Sequence, residues 1–334
     1  LRVAPADGSD DCTGYVPKDR MPGMIDPPRA WVGTANNDTT PEGYPWYYTN
    51  YVAPDYRYRR IGQVLGSAKQ MTVDDQWKLM MDDRNLQSDR LRTTIVAALK
   101  DDPAQRDLAA LLEKWDGVDR ADQAAPLVYQ AMYREVALGT FTNKLGEDAA
   151  KDMLSTWYFW QQRFDALVAT PDSPWFDNPE TKDKRETLAD VIRTAAPRAR
   201  ASIETLQGKD PAAWAWGKAH TLSFVSPLRR SGAGQELAGG FTVQRPGSGE
   251  TLNRGVYDFQ KPFAVNFFPS MRVVVDFADP DKINAVVAGG VSERHFQPHQ
   301  NDQARILVAG ERRSWWFNPK QVEAHAKSRA TLSP

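Results

Sequence analysis

Apolar residues recur at spacings of three and four through the middle of the chain, which is the period of an amphipathic helix. The helical pattern begins at Thr72, which fits a capping box with Asp75 three residues later. It continues with apolar residues that share one helical face, namely Leu91, Ile95, Ala98 and Leu99. The pattern predicts that residues 71–208 are mainly helical.

Further helices can be placed inside this region. Proline is tolerated in the first turn of a helix, so Asp102 followed by Pro103 predicts a helix start, and Gly117 predicts the end of that helix. Its predicted buried stripe is Leu108, Leu111, Leu112 and Trp115. Another helix is predicted around residues 127–138.

The longest helix is predicted over residues 147–168, where large apolar side chains form one stripe. That stripe consists of Met153, Trp157, Trp160, Phe164 and Val168, and it favours a core over a cofactor site. A last helix is predicted from the apolar residues between Leu188 and Ala195, and Pro197 should kink or interrupt it.

Beyond residue 208 the period changes to that of strands. Residues 241–245 alternate, and residues 263–268 and 272–277 are rich in Val and Phe. Prolines and glycines keep residues 1–30 loop-like, and a closing helix is predicted at 319–330. We therefore expect one α+β body with a loop-rich segment 1–70, a helical region 71–208 and a β-rich region 209–334.

Composition and charge narrow the possible functions. The chain has 334 residues, 41% of them apolar, and its 42 basic residues nearly balance its 43 acidic ones. A chain of this length and apolar content can bury a sizeable hydrophobic core. Because its charges balance, a nucleic-acid partner is not expected. No apolar run reaches the roughly 20 residues that span a bilayer, so we expect no membrane association. The single cysteine, Cys12, has no base near it in the sequence, and the start at Leu1 suggests a processed chain or a fragment.

The stretch from Trp31 to Arg60 carries the only recognisable candidate chemistry. Asn36 and Asn37 enter a turn that Pro41 and Gly43 punctuate, and six tyrosines and three arginines lie within the stretch. One interpretation is a strand, a turn and an aromatic surface. The other is that an Asn amide donates to a developing oxyanion, as in acyl transfer.

Three segments in order resemble the penicillin acylase family of N-terminal-nucleophile hydrolases. They are TGYVPKDRMPGMIDPPRAWVGTANND with the following YPWYY and APDYRYRRI, then DPAAWAWGKAHTLSF from Asp210, then HFQPHQNDQARILVAGERRSWWFNPKQVEAH from His295. The similarity covers essentially the whole chain and corresponds to the C-terminal part of that family's β chain. It implies the C-terminal portion of an αββα sandwich, here with a helical elaboration.

The resemblance also implies roles for individual residues. In this family the nucleophile is a Ser at the first position of the β chain, and its own α-amine is the base. Leu1 cannot serve in that way, so the nucleophile is expected outside this chain. Asn36 matches the Asn that completes the oxyanion hole, and Arg57 matches an Arg that positions the nucleophile region or a substrate carboxylate. The alternative for Arg57 is a surface side chain stacked on Tyr56 or Tyr58.

The implied partners are an α chain and an upstream β-chain segment of the same precursor, together with a small N-acyl amide as substrate. The acyl group stays open, and the implied location is periplasmic or secreted. The chemistry requires no cofactor. Many family members hold a structural calcium, but Asn50 or Tyr48 stands where a carboxylate is expected here, which argues against calcium.

Other candidate sites are weaker. His295, His299 and Asp302 have a spacing that could bind a metal from one helical face, but Pro298 disfavours the helix. His220 is predicted to be a hydrogen-bonded core or turn residue. The segment at 245–249 lacks the first Gly of a nucleophile elbow, and the glycines at 232–240 form a loop without the context of a phosphate cradle.

Two alternative functions stay open at this stage. The chain could be a non-catalytic binding or structural module that uses the aromatic residues between Tyr44 and Tyr58 as a contact surface. It could also belong to a degenerate acylase whose remaining part lacks the nucleophile.

Overall fold

The computed structural model describes residues 5–156, 159–225, 241–292, 294 and 296–332. Among these residues, eleven helices have the following bounds: α1 (Tyr56–Ser67), α2 (Val73–Met80), α3 (Ser88–Leu99), α4 (Arg106–Glu113), α5 (Ala124–Leu145), α6 (Glu147–Leu154), α7 (Phe159–Val168), α8 (Leu188–Gln207), α9 (Trp216–Ala219), α10 (Asp302–Val308) and α11 (Pro319–His325).

Seven strands follow α9 in the described part of the chain: β1 (Thr221–Phe224), β2 (Phe241–Gln244), β3 (Val256–Tyr257), β4 (Val265–Phe267), β5 (Met271–Val275), β6 (Lys282–Val287) and β7 (Arg313–Trp316). They form a four-stranded sheet in the order β2-β1-β4-β3 and a three-stranded sheet in the order β5-β6-β7. In the first sheet β1 is antiparallel to β2 and parallel to β4, whereas the second sheet is entirely antiparallel. The α+β class expected from the sequence is thus the class of the structure.

Long-range packing centres on the helices. The main core gathers apolar side chains of α3 to α8 with aromatic residues from the β-rich region, including Phe259 and Phe263. Helix α5 lies at its centre, because 14 of its 22 residues are buried, and packs against α8. A second, smaller cluster of Trp77, Val286 and Leu307 joins α2 to β6 and α10. The division of the chain at residues 70 and 208 stays a prediction.

The capping signal at α2 is correct. Thr72 Oγ1 accepts from the Asp75 N–H at 3.1 Å, and Asp75 Oδ2 accepts from the Thr72 N–H at 3.1 Å. The predicted face of α3 is buried. Helix α4 ends at Glu113, before the predicted stop at Gly117, which adopts a positive φ of 77°. The start of α4 is three residues later than expected, because residues 102–105 form turns before Arg106.

The prediction of one long helix over 147–168 is wrong. Helix α6 ends at Leu154, and α7 begins at Phe159. The N–H and the hydroxyl of Ser155 both donate to the Lys151 carbonyl, at 3.1 and 2.8 Å, and those of Thr156 both donate to the Met153 carbonyl, at 3.1 and 2.5 Å. Side-chain donors thus join the backbone donors at the last carbonyls of α6. Trp157 lies outside the described residues. The longest helix is instead α5, with 22 residues.

Candidate functional site

Asn36 and Arg57 are brought into direct contact. Arg57 Nη2 donates to Asn36 Oδ1 at 3.2 Å and to the Ala35 carbonyl at 2.6 Å. Because the Asn36 Oδ1 is occupied by Arg57, the amide presents its Nδ2 hydrogens as donors. Within the described part of the chain, Asn36 Nδ2 donates no hydrogen bond, and the residue is exposed.

The backbone at Asn36 adopts a left-handed conformation, with φ of 66°. Asn tolerates this region better than most residues because its short polar side chain bonds locally. The conformation is held from both sides: the Asn36 carbonyl accepts from the Ala53 N–H at 2.7 Å, and Asn37 Oδ1 accepts from the Ala35 N–H at 3.1 Å. These contacts fix a turn that presents the Asn36 amide outward.

Arg57 lies in the first turn of α1 and is only 7% exposed. The alternative of a surface Arg57 stacked on Tyr56 or Tyr58 is therefore wrong. In this helix Arg59 lies over the Tyr56 ring, with its Cζ 4.8 Å from the ring centroid. A buried guanidinium beside an exposed amide is suited to holding that amide in one orientation.

Glu250 adds a buried acid near Arg57. Its side chain is 4% exposed, and its Oε2 has no hydrogen-bond partner among the described residues. Burial raises the pKa of Glu250 to about 7, opposed by the positive charges of Arg57 and Arg254. Glu250 thus changes ionisation near neutral pH while facing the guanidinium that orients Asn36.

The loop that carries Glu250 depends on Gly247. Its φ is 76°, and a Cβ there would lie 2.2 Å from the Asn253 carbonyl oxygen, so only glycine fits without rearrangement. The Gly247 carbonyl accepts from Trp216 Nε1 at 2.8 Å, which anchors the loop to α9. Nothing in the local sequence marks Glu250, since its position beside Arg57 arises from packing between distant segments.

Two open cavities are lined by residues of the segment 34–58. One, of about 170 Å³, is lined by Asn36, Asp38, Tyr48 and Tyr51 among others. The other, of about 430 Å³, extends from Asn37 toward α7 and is lined by Asp165. Asn36 lines the smaller of the two cavities, so its amide is accessible from there.

The other residues considered from the sequence are His220, the segment 245–249 and Cys12, and the first two have structural contacts. His220 is fully buried, stacks on Trp216 at 4.4 Å and bonds the Phe263 carbonyl through Nδ1 at 2.8 Å; burial lowers its pKa to about 3. Ser248 is buried and accepts from Asn85 Nδ2 at 3.4 Å, and Cys12 is exposed.

Within the described ranges, the donor groups considered from the sequence do not fit a metal ion. His299 Nδ1 contacts Asp302 Oδ2 at 3.0 Å, and Arg313 neutralises the same carboxylate at 3.1 Å. His295 and the glycine loop at 232–240 lie outside the described residues. Across the described ranges, no three His, Cys, Asp or Glu side chains lie close enough together to hold a metal. Tyr48 and Asn50 are exposed, and a lone amide with a phenol is a poor donor set for calcium.

Aromatic side chains do form an exposed surface beside Asn36. Tyr47, Tyr48 and Tyr51 are 77%, 52% and 53% exposed.

None of the helices in the described residues combines the length and apolarity needed to cross a bilayer.

Comparison with known proteins gives a consistent family. The family model for penicillin amidase matches residues 1–324. An acyl-homoserine lactone acylase of Pseudomonas aeruginosa is 28% identical over 98% of this chain and 42% of its own length, and a homologue from Pseudomonas fluorescens is 26% identical with the same coverage. A penicillin acylase 2 proenzyme of a Pseudomonas strain is 26% identical over 89% of this chain and 38% of its own.

The fold is also found among solved structures. A thermostable penicillin G acylase from Alcaligenes faecalis superposes with a TM-score of 0.63 at 18% identity, over 98% of this chain and 61% of that one. The expected fold class is therefore confirmed. The chain spans less than half the length of the curated relatives that it matches.

Proposed function

The chain belongs to the penicillin amidase family, and from this premise we propose that it supplies the oxyanion-stabilising part of an amide hydrolase. In this proposal an N-acyl amide is cleaved through an acyl-enzyme on an N-terminal serine that lies outside these 334 residues. The observation that carries the proposal is the Asn36–Arg57 pair, in which a buried guanidinium holds Oδ1 and leaves Nδ2 as an outward donor.

The proposed chemistry follows from that geometry. When a serine oxygen adds to the amide carbon, the carbonyl π electrons move to oxygen and create an oxyanion. Asn36 Nδ2 would donate to it, and this donor costs no reorganisation because Arg57 and Ala53 already fix its position. The base takes the serine proton during this addition. The oxyanion then collapses, the C–N bond breaks, and the amine leaves with that proton, so that an acyl-serine ester remains. Water adds to the ester carbonyl to form a second oxyanion, whose collapse breaks the ester C–O bond, releases the carboxylic acid and returns the proton to serine. No step uses a cofactor.

The substrate is proposed to be a small N-acyl amide. Relatives named as acyl-homoserine lactone acylases and a penicillin acylase support this class. The two names differ in both the acyl group and the amine, so an acyl-homoserine lactone and a phenylacetyl amide are the first substrates to compare.

The test uses the full-length protein and replaces Asn36 in three ways. Asn36→Gly keeps the left-handed backbone accessible and removes only the amide, Asn36→Asp keeps the shape and loses the donor, and Asn36→Ala adds backbone strain. We expect kcat to fall about 100-fold or more in all three.

The matched control is Asn50→Ala, which removes an exposed amide from the same segment and should leave kcat unchanged. If Asn36→Gly retained wild-type kcat, the oxyanion role would be wrong. If the wild type hydrolysed neither substrate, the hydrolase proposal itself would fail.

We also propose that the working enzyme contains an α chain and an upstream β-chain segment from one precursor, in the periplasm or outside the cell. Family membership supports this, as does a relative named as a proenzyme. Intact masses and N-terminal sequences of the copurifying chains would test it: a chain that begins with Ser supports processing, and a single uncut product contradicts it. Cell fractionation tests the location.

A binding module is the second candidate, because the exposed tyrosines at 47, 48 and 51 form an aromatic surface. A ligand bound by the full-length protein, weakened by Tyr47→Ala yet unaffected by loss of the nucleophilic serine, would favour that function.

A further inference from the structure

Helix α7 contacts the segment that supports Asn36 and Arg57. Gln162 Nε2 donates to the Ala53 carbonyl at 3.1 Å, and Asp165 Oδ2 accepts from Tyr56 Oη at 2.8 Å. Residues 53–57 are more than 100 positions away from these partners in the chain. The sequence alone therefore gives no sign of this contact.

The contacted segment supplies the interactions that fix Asn36. The Ala53 N–H donates to the Asn36 carbonyl, while the Ala53 carbonyl accepts from Gln162. Tyr56 immediately precedes Arg57, whose guanidinium bonds Asn36 Oδ1. Of the two residues that support Asn36, Ala53 is itself hydrogen-bonded to α7, and Arg57 directly follows Tyr56, which is also hydrogen-bonded to α7.

Asp165 is itself braced by other elements. Tyr133 Oη in α5 donates to Asp165 Oδ1 at 3.2 Å, and Gln87 Nε2, just before α3, donates to Oδ2 at 3.4 Å. Gln87 also donates to Tyr133 Oη at 2.9 Å. The carboxylate that holds Tyr56 therefore has a position determined by the helical core.

We propose that Gln162 and Asp165 are positioning residues, which hold residues 53–57 in register so that the Asn36 amide stays aligned with the reacting carbonyl. The inference rests on the proposed function and extends it to the helical region. Because Asn36 is exposed and held mainly through Ala53 and Arg57, a small shift of α1 moves its donor directly. A displacement of about 1 Å is sufficient to reduce a rate on the order of 100-fold.

The contribution of Asp165 should depend on its charge. Tyr56 and Arg59 of α1, Tyr129 and Tyr133 of α5, and Glu250 face this carboxylate. Charge-assisted hydrogen bonds are about twice as strong as neutral ones. The ionised carboxylate therefore holds the Tyr56 hydroxyl more firmly than a neutral group would.

The experiment measures kcat and KM of the full-length protein with Tyr56→Phe, Asp165→Ala and the double variant. We expect kcat to fall roughly 10-fold in each single variant, with KM within twofold, since the shift affects the transition-state donor more than binding. The melting temperature of Tyr56→Phe should fall by only a few degrees, because a single hydrogen bond is lost. The double variant should be no worse than Asp165→Ala, because that single variant already lacks the Tyr56–Asp165 hydrogen bond.

Two further variants serve as controls. Asp165→Asn keeps an acceptor for Tyr56 and should recover kcat to within about threefold of wild type, as the remaining bond is neutral. Tyr58→Phe removes another phenol from α1, one that accepts a hydrogen bond from the exposed Arg29, and should leave kcat unchanged.

An active wild type with unchanged kcat in Tyr56→Phe overturns this inference alone, as does an additive double variant. Equal loss in Tyr56→Phe and Tyr58→Phe also overturns it, because general loosening of α1 would then be the cause. A wild type that hydrolyses neither test amide overturns both this inference and the proposed function, since Asn36 would have no oxyanion to stabilise.

Discussion

At the scale of single residues, Arg57 combines two tasks that mutation can separate. Its guanidinium orients Asn36 by hydrogen bonding. Its positive charge also lowers the pKa of the nearby buried Glu250, against the rise that burial causes. Removing the guanidinium would leave the Ala35 carbonyl without that donor and Glu250 with less positive charge nearby. Such a loss is costly because a buried charge deprived of its compensation must be neutralised or hydrated.

We predict that Arg57→Met lowers the free energy of unfolding of the full-length protein by about 3 kcal/mol at pH 8. In an Arg57→Met background, Glu250→Gln should restore at least about 1 kcal/mol, because it removes the uncompensated charge. Urea unfolding of the two single variants and the double variant measures this coupling. Additive effects within about 0.5 kcal/mol would show that the two side chains do not interact.

The sequence could indicate Asn36 and Arg57 because both lie in one short stretch with a recognisable family pattern. It could not indicate Glu250, which lies in a glycine-rich turn without periodicity. The raised pKa of Glu250 arises from its burial, beside an arginine that is distant in the sequence. Asp165 is similar, since its position on α7 looks like an ordinary exposed helical acid. The surroundings of such residues are determined by long-range packing, which no local sequence pattern predicts.

At the scale of elements, helix α8 continues through a residue that should end it. Pro197 was expected to kink or interrupt the helix, yet α8 is assigned without a break from Leu188 to Gln207. Pro197 has no N–H to donate to the Arg193 carbonyl, and it lies on the exposed side of the helix. The buried residues on either side, including Ile192, Ala195 and Ala199, maintain the helix by packing against the core.

We predict that Pro197→Ala raises the free energy of unfolding by about 2 kcal/mol. The change restores one helical hydrogen bond and removes an interior proline penalty of about 3 kcal/mol, less the roughly 0.4–1 kcal/mol by which proline restricts the unfolded chain. No buried contact is lost, because the side chain is exposed.

Chemical denaturation of the full-length protein would measure this change, with Thr194→Ala as the control. Thr194 is an exposed residue in the same helix, and its replacement should give only the few tenths of a kcal/mol expected from propensity. Equal effects of the two substitutions, or a destabilised Pro197→Ala, would contradict the explanation.

Sequence periodicity identified helices well where one face is buried, and it identified helix ends poorly. The faces of α3 and α4 were evident because apolar spacing follows burial directly. The break after α6 was missed, since the apolar stripe continues past it and the hydrogen bonds that Ser155 and Thr156 make at the end of the helix do not appear in an apolar pattern. Strand β6 was missed as well, because its six residues mix polar Lys282 and Asn284 with apolar residues and are too few to establish a period.

At the scale of the whole molecule, a buried polar network joins the helical region to both sheets. Asn253 lies at its centre: Oδ1 accepts from Arg245 at 2.7 Å and from Arg272 at 2.8 Å, and Nδ2 donates to Asp83 Oδ1 at 2.9 Å. Asp119, fully buried, accepts from Asn85 at 3.0 Å beside it. Burial raises the pKa of both Asp83 and Asp119 to about 7.

These groups make stability depend on pH in a defined direction. Four carboxyls, those of Asp83, Asp119, Asp165 and Glu250, have pKa values raised to about 6 or 7 in the fold, against 3.8 or 4.5 when exposed. Between about pH 4.5 and pH 7 the folded protein therefore binds more protons than the unfolded chain, so stability falls as pH rises. His220 opposes the trend below pH 6.5, because burial lowers its pKa to about 3, but it is one group against four.

We predict that the free energy of unfolding of the full-length protein falls by a few kcal/mol, as an order of magnitude, between pH 5 and pH 7.5. Asp119→Asn should flatten this dependence, since it removes one group that must ionise in a buried position. Asp190→Asn is the control: hydrogen bonds led by Lys184 lower the pKa of Asp190 to about 2, so its charge is constant over this range and the slope should not change. Urea unfolding at successive pH values measures the slope, and a stability that rises from pH 5 to pH 7.5 would mean that these carboxyls are already ionised in the fold and that the network is held by charge pairing instead.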